Sequence, residues 1–153
     1  MMNKRYTNEK FCNFILWSDR RTTDICNYYN NAFYLNSLTK MAKLLYSSVI
    51  PSHHFLAISK YKMETTHVSP RLIQQLRIIQ SQSAARNFLK SVLYGTIDTW
   101  LIYYLTKEKT FATDITCASS SGFFDIFQDK WSKILCYLFS IPSYILPDVE
   151  DSW

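Results

Sequence analysis

The chain reads as a mixture of helices and short strands, on three observations. Two short apolar runs, Phe11–Trp17 (FCNFILW) and Phe111–Ile115, have the length and bulk of strands. Between them lie segments whose apolar residues recur at helical intervals. Pro51, Pro70 and Gly95 fall at the joints of that pattern, where a ring-locked φ or a missing side chain does least harm. At 153 residues there is room for one hydrophobic core, because a globular chain of this size buries roughly two thirds of its extended surface.

Taken in order, the Phe11–Trp17 run meets the polar SDRRTTD, and a helix follows from Thr22, with Ile25, Tyr28, Tyr29 and Phe33 near one face. Leu38, Met41, Leu45 and Val49 space a second helix over 38–49, which Pro51 ends. Residues 52–69 have mixed periodicity. Pro70 suits the first turn of another helix, with Ser69 just outside it and an apolar side of Leu72, Ile73, Leu76, Ile78 and Ile79. A further helix over 83–93 packs Ala84, Phe88 and Val92.

The stretch GTIDTWL, from Gly95 to Leu101, holds one of only two glycines. Gly95 permits a reversal or a close backbone approach, and Asp98 is expected to cap a helix over 99–105 that packs Trp100, Leu101, Tyr104 and Leu105. Residues 106–109 form a turn, and Phe111–Ile115 resumes as a strand in a hairpin or at a sheet edge. Cys117–Gly122 (CASSSG) is small and polar, suited to a turn or to the close approach of a ligand. Phe123, Phe124 and Phe127 return to the core. Asp129 is placed to cap a helix that buries Trp131, Ile134, Leu135 and Leu138, Pro142 and Pro147 punctuate its exit, and DVEDSW reads as an exposed linker.

Apolar residues at 48% and charged residues at 19% argue against wholesale disorder. Charge is uneven: thirteen basic and four acidic residues give +9 over 1–94, and four basic against eight acidic give −4 over 95–153. The basic half forms no run interleaved with aromatics and contains no zinc finger or GXXG loop, so nucleic acid is not expected as a partner. No window is apolar enough for a membrane span, and the start lacks a signal-peptide core. Cys12, Cys26, Cys117 and Cys136 form no CxxC pair, which fits reduced thiols in a cytoplasmic protein.

Local chemistry narrows the field. His53, His54 and His67 sit at no zinc-binding spacing, and no metal is expected. The serines of CASSSG lack a GxSxG elbow, and no histidine follows them, which removes a chain-ordered hydrolase triad. Trp17 followed by Asp19, Arg20 and Arg21 is the more informative group. An aromatic wall beside acid and guanidinium groups can hold a neutral polyol, and the same residues can equally fill a core and cap a helix.

FILWSDRRTTDIC, then GTIDTWLIYYLTKEKTFATDITCASSSGFFDIF, then Trp131 with SIPSYILPDV downstream resemble, in order and spacing, the amino-terminal domain of the FGGY carbohydrate kinases, especially glycerol kinases and their glycerol kinase 5-like branch. The likeness is specific toward both ends of 14–149 and weaker over 47–90. It implies an α/β, ribonuclease H-like domain of the actin and hexokinase type, here incomplete, with a mixed sheet and flanking helices. It also implies a partial kinase domain over 11–149, with exposed ends at 1–10 and 150–153.

The resemblance further implies that two such lobes enclose a cleft, sugar or polyol binding mainly to the first and ATP to the second. Trp17 matches the polyol-contacting tryptophan of the family. Lys60 is the nearest match to a lysine that closes a later tract, which puts Phe55 at the place of a polyol-contacting tyrosine and removes its hydroxyl. The match of Asp98 in the family is structural, and Cys117 replaces an asparagine. The family's phosphate loop would precede Met1, and its catalytic aspartate and ATP-binding domain would follow Trp153. No catalytic residue and no cofactor site are therefore expected in this chain; ATP and magnesium belong to a complete enzyme. The expected partners are glycerol or another small polyol, and a second kinase lobe or a further copy of the chain. A partial kinase gene product is the first expectation; a short noncatalytic interaction or structural protein is the alternative.

Overall fold

The computed structural model describes residues 15–16, 18–48, 52–81 and 92–151. The strand expected over Phe11–Trp17 and the helix expected over 83–93 lie almost wholly outside those residues.

Helix α1 (Thr23–Asn31) carries Asp24 in its first turn, where a carboxylate suits the helix dipole, and buries Cys26 and Tyr29. Ala32 then takes extended backbone, with ψ 133, and breaks the axis before α2 (Phe33–Ser48). That break explains why Phe33 is exposed, because one helical register does not carry across it; Tyr28 lies on the outer side of α1 itself. Helix α2 turns Leu35 and Ala42 inward and packs chiefly on α3 (His53–Ser59), with Met41 exposed. Ser52 caps α3, its hydroxyl accepting from the His54 amide at 3.3 Å. Helix α4 (Ser69–Ser81) starts one residue earlier than expected, holds Pro70 in its first turn and buries Leu72, Ile73, Leu76 and Ile79. Ile78 points outward.

Helix α5 runs Ile97–Leu105 with Thr96 at its N-cap. Its inward residue is Thr99, while Trp100, Leu101, Tyr104 and Leu105, expected to pack, are exposed. Strand β1 (Ala112–Asp114) leads directly into α6 (Ile115–Ser119), capped by Asp114, whose carboxylate accepts from the Cys117 amide at 2.8 Å. Strands β2 (Phe124–Asp125) and β3 (Lys130–Trp131) form an antiparallel hairpin. Asp129 sits in its turn at φ 49, so Ser132 rather than Asp129 caps α7 (Lys133–Leu138). That shift leaves Ile134 exposed and brings Cys136 and Phe139 inward.

Strand β4 (Asp148–Glu150) pairs in parallel with β1, Ala112 opposite Asp148 and Asp114 opposite Glu150. Two expectations are corrected here. The DVE segment is a strand rather than a linker, because parallel pairing supplies its backbone partners. Of the two settings expected for Phe111–Ile115, the hairpin gives way to the sheet edge: Ala112–Asp114 pairs with β4 alone among the described residues. Among the described residues the strands make two separate two-stranded sheets, not one mixed sheet.

The core joins α1, α4, α7 and the loop residues Met63, Phe123, Ile141, Ile145 and Leu146. Phe139 lies at its centre, edge-on to Tyr29 at 5.2 Å and stacked on Tyr61 at 6.4 Å. Polar clasps fix the loops to it. Asn30 exchanges two 2.9 Å bonds with the backbone of Met63, and the Trp131 indole donates to the Pro147 carbonyl at 2.8 Å.

Candidate functional site

The turn before α1 is closed by its own charges. The Asp19 carboxylate accepts from the Arg21 amide at 2.9 Å, from its Nε at 2.8 Å and from its Nη2 at 2.5 Å. These bonds, the side-chain ones first, hold the Asp19 carboxyl at about 2, so it is ionised at neutral pH. The Arg20 carbonyl accepts from the Thr23 amide and hydroxyl, and Thr22 is buried beneath. Asp19 and Arg21 therefore stand in fixed positions two and four residues after Trp17. Trp17 itself lies outside the described residues.

Arg71 is the residue that sequence reasoning missed. It is buried in the first turn of α4, and its Nη2 donates to the carbonyls of Thr65 at 2.5 Å and Thr66 at 3.3 Å. Burial lowers its pKa, while the Asp19 carboxylate pulls the other way. A cation in the first turn opposes the helix dipole, so Arg71 directly after Pro70 was a legible signal that something other than helix stability keeps it there.

Phe55 lies half-buried on α3, its ring 6.4 Å from that of His54. His54 in turn pairs with Asp125 at 3.2 Å and approaches Phe127 at 5.2 Å. Lys60 is the exposed C-cap of α3. The charged side chains that act on Asp19 are Arg21 and Arg71, and Phe55 is tied instead to the β2 region.

Asp98 is held in a second polar cluster. It does not cap α5; from within the first turn it accepts from the Thr96 hydroxyl and, at 2.6 Å, from the Thr113 hydroxyl on β1. Its role is to tie helix to strand. Gly95 is needed beside it, because a Cβ there would meet Thr99 Cγ2 at 2.8 Å. Asp98, Asp114 and Cys117 each bring a potential ligand atom within 4.8 Å of the others. Those atoms already serve the fold: Asp98 takes the two threonine hydroxyls, and Asp114 caps α6. Burial and the two carboxylates push the Cys117 thiol up to about 12, which keeps it protonated and makes it a poor partner for magnesium, a cation that favours oxygen.

A nucleotide phosphate fits no better at CASSSG. Ser121 is buried, its carbonyl accepts from the Ser69 amide at 2.9 Å, and a Cβ on Gly122 would meet His67 and Ser69 at 2.9 Å. Among the described residues, neither cluster offers ATP or magnesium an open cradle.

The Asp98 bonds make a pH prediction. Burial alone would raise its pKa, but the hydroxyl bonds from Thr113 and Thr96 and the backbone amides outweigh it and the net shift is downward. The unfolded chain thus takes up this proton at a higher pH than the folded one. The contribution is full above the ordinary carboxylate value and is lost as pH falls through the depressed one. Urea midpoints measured from neutral pH down into the acid range should fall less steeply in Asp98→Asn than in the parent; equal slopes would remove Asp98 from the account.

Residues 1–153 match the N-terminal domain of the FGGY family of carbohydrate kinases. The chain is 38% identical over 149 residues to glycerol kinase 5 of Bos taurus, covering 95% of this chain and 27% of that protein. It is 40% identical over 151 residues to glycerol kinase 5 of Xenopus laevis, covering 98% and 31%. Against glycerol kinase of Mycoplasma genitalium it is 32% identical over 142 residues, covering 92% and 24%. The chain thus spans less than a third of the length of these relatives. A crystal structure of Plasmodium falciparum glycerol kinase with ADP superposes with a TM-score of 0.69 at 23% identity, over 95% of this chain and 25% of that one. The fold is therefore an α/β fold related to the actin, hexokinase and FGGY superfamily.

Proposed function

The chain belongs to the FGGY family of carbohydrate kinases through their N-terminal domain, and from that premise we propose that it supplies one wall of the polyol pocket of a glycerol kinase-like phosphotransferase. The observation that carries this reading is the Asp19–Arg21 clasp, set immediately after Trp17 in the chain, with the charge of buried Arg71 also acting on Asp19. A small polyol needs an apolar surface for its carbons and fixed charged or polar groups for its hydroxyls. In this reading the Trp17 indole supplies the first, and Asp19 with Arg21 fixes the segment that presents it. Phe55 is kept as a second ligand contact that offers no hydroxyl. The kinase domain is taken to occupy 11–149 of a cytoplasmic protein.

Phosphoryl transfer depends mainly on positioning and on charge stabilisation around the phosphate. In this reading the chain helps to position the acceptor, and ATP and magnesium are assigned to a further lobe. A noncatalytic interaction role is the second reading, favoured by the exposed side of α5.

Titrating glycerol against intrinsic tryptophan fluorescence of the purified chain is expected to give a saturable change that Trp17→Ala abolishes. ATP-dependent glycerol phosphorylation by the same chain is expected to be absent. A flat titration would favour the interaction role, and robust turnover would overturn the assignment of catalysis to a further lobe.

A further inference from the structure

Helix α2 is amphipathic in an unusual sense: its inner side is satisfied, and its outer side is both apolar and basic. Leu35 and Ala42 face inward, and α3 packs on α2. At 100° per residue, positions 33, 37, 41, 44 and 48 gather on the opposite side. There Phe33 is 86% exposed, Leu44 65% and Met41 59%, with Tyr34 at the margin. Lys40 and Lys43 border this stripe along one flank, both exposed and neither paired with a carboxylate among the described residues. No acidic residue occurs between Asp24 and Glu64, Lys60 and Lys62 follow α3, and Asp24 reaches only the Phe33 end of the stripe, where it lines one hollow with Phe33 and Tyr34.

We propose that the outer side of α2 docks on an anionic phospholipid surface, with Met41 and Leu44 entering the headgroup boundary, Lys40 and Lys43 meeting lipid phosphates and carboxylates, and Phe33, beside Asp24, left at the rim of the contact. Such helices lie in the interface plane, held by apolar burial together with attraction of basic side chains to anionic lipid. The charge decides for this occupant. A groove for an ordinary protein partner has no need of a segment free of acid, whereas a negative membrane repels any carboxylate placed against it. Helix α5 serves as the internal comparison, since it exposes Trp100 and Leu105 beside Asp98 and carries no basic residue. No helix of the described residues is long and apolar enough to cross a membrane, so docking is at the surface. Its test reads no polyol binding, so its failure is distinguishable from failure of the polyol reading.

Co-sedimentation of the full chain with vesicles decides the matter. Binding is expected to vesicles of equal parts phosphatidylcholine and phosphatidylserine, with little to phosphatidylcholine alone. The double substitution Lys40→Gln and Lys43→Gln should weaken it about thirtyfold, and Leu44→Ser about tenfold, whereas Leu105→Ser should leave it unchanged. Raising salt should weaken wild-type binding as well, a check that requires no variant. Equal binding to neutral vesicles, no binding to either, or equal loss in Leu105→Ser and Leu44→Ser would each overturn the proposal. So would retention on immobilised polyglutamate that matches the vesicles and ignores Leu44→Ser, the pattern of an acidic protein partner.

Discussion

Phe139→Ala is expected to remove about 3–5 kcal/mol of folding stability, the usual cost of deleting a buried phenyl ring and leaving its cavity. Phe139 is 1% exposed and touches two parts of the chain that are distant in sequence. Tyr29 on α1 meets its edge, Tyr61 after α3 stacks on it, and α7 delivers it from the preceding turn. The cavity cannot collapse easily, because the Tyr61 hydroxyl is already fixed to the Gly122 carbonyl at 2.6 Å and Asn30 clasps Met63. Domains of this size have only about 5–15 kcal/mol to lose. Urea denaturation followed by fluorescence should show the midpoint falling by a large fraction, with the slope retained. Ile134→Ala, one turn away and exposed, should move the midpoint little. If both variants behave alike, the aromatic centre is not what joins these elements.

Helices whose periodic residues meet the core within one uninterrupted segment were legible in the sequence. Helix α4 is the example, since Pro70 marks its first turn and Leu72, Ile73, Leu76 and Ile79 all go inward. Helix α1 was legible only in part, because nothing in NNAFY announces that Ala32 turns to extended backbone and cancels the register of Phe33. Strand β4 was hidden for a different reason. Its three residues, Asp148–Glu150, are mostly charged, and only a partner from far along the chain makes them a strand. Helix α5 reversed expectation outright: the residue it buries is Thr99, next to the Asp98 that accepts from Thr113, and its large hydrophobic residues stay outside. As for the candidate site, the Asp19–Arg21 clasp follows from a two-residue spacing that any reader of the sequence can see. Arg71 could be found only by asking why a helix begins with the wrong charge.

Gly122→Ala is the other substitution with a large expected effect, about 2–5 kcal/mol. The residue sits at φ +82, where an L side chain costs roughly 1–2 kcal/mol. A Cβ would also press on His67 Cγ and Ser69 Oγ, both at 2.9 Å, and overpacking of this kind costs about 1–3 kcal/mol. Gly95→Ala has the second cost without the first, so it should be the milder change. The two terms can be separated experimentally. Ser69→Ala deletes one of the clashing atoms, so it should recover part of the steric loss in the double variant and none of the left-handed strain. The consequence extends to the polyol site, because the Ser121 carbonyl that receives the Ser69 amide anchors the start of α4, and two residues later stands Arg71. Moving that helix end displaces the guanidinium whose charge acts on Asp19. Gly122→Ala should therefore weaken the glycerol-dependent fluorescence change under conditions where the chain is still folded by circular dichroism. A stable variant with an unaltered titration would separate the turn from the site.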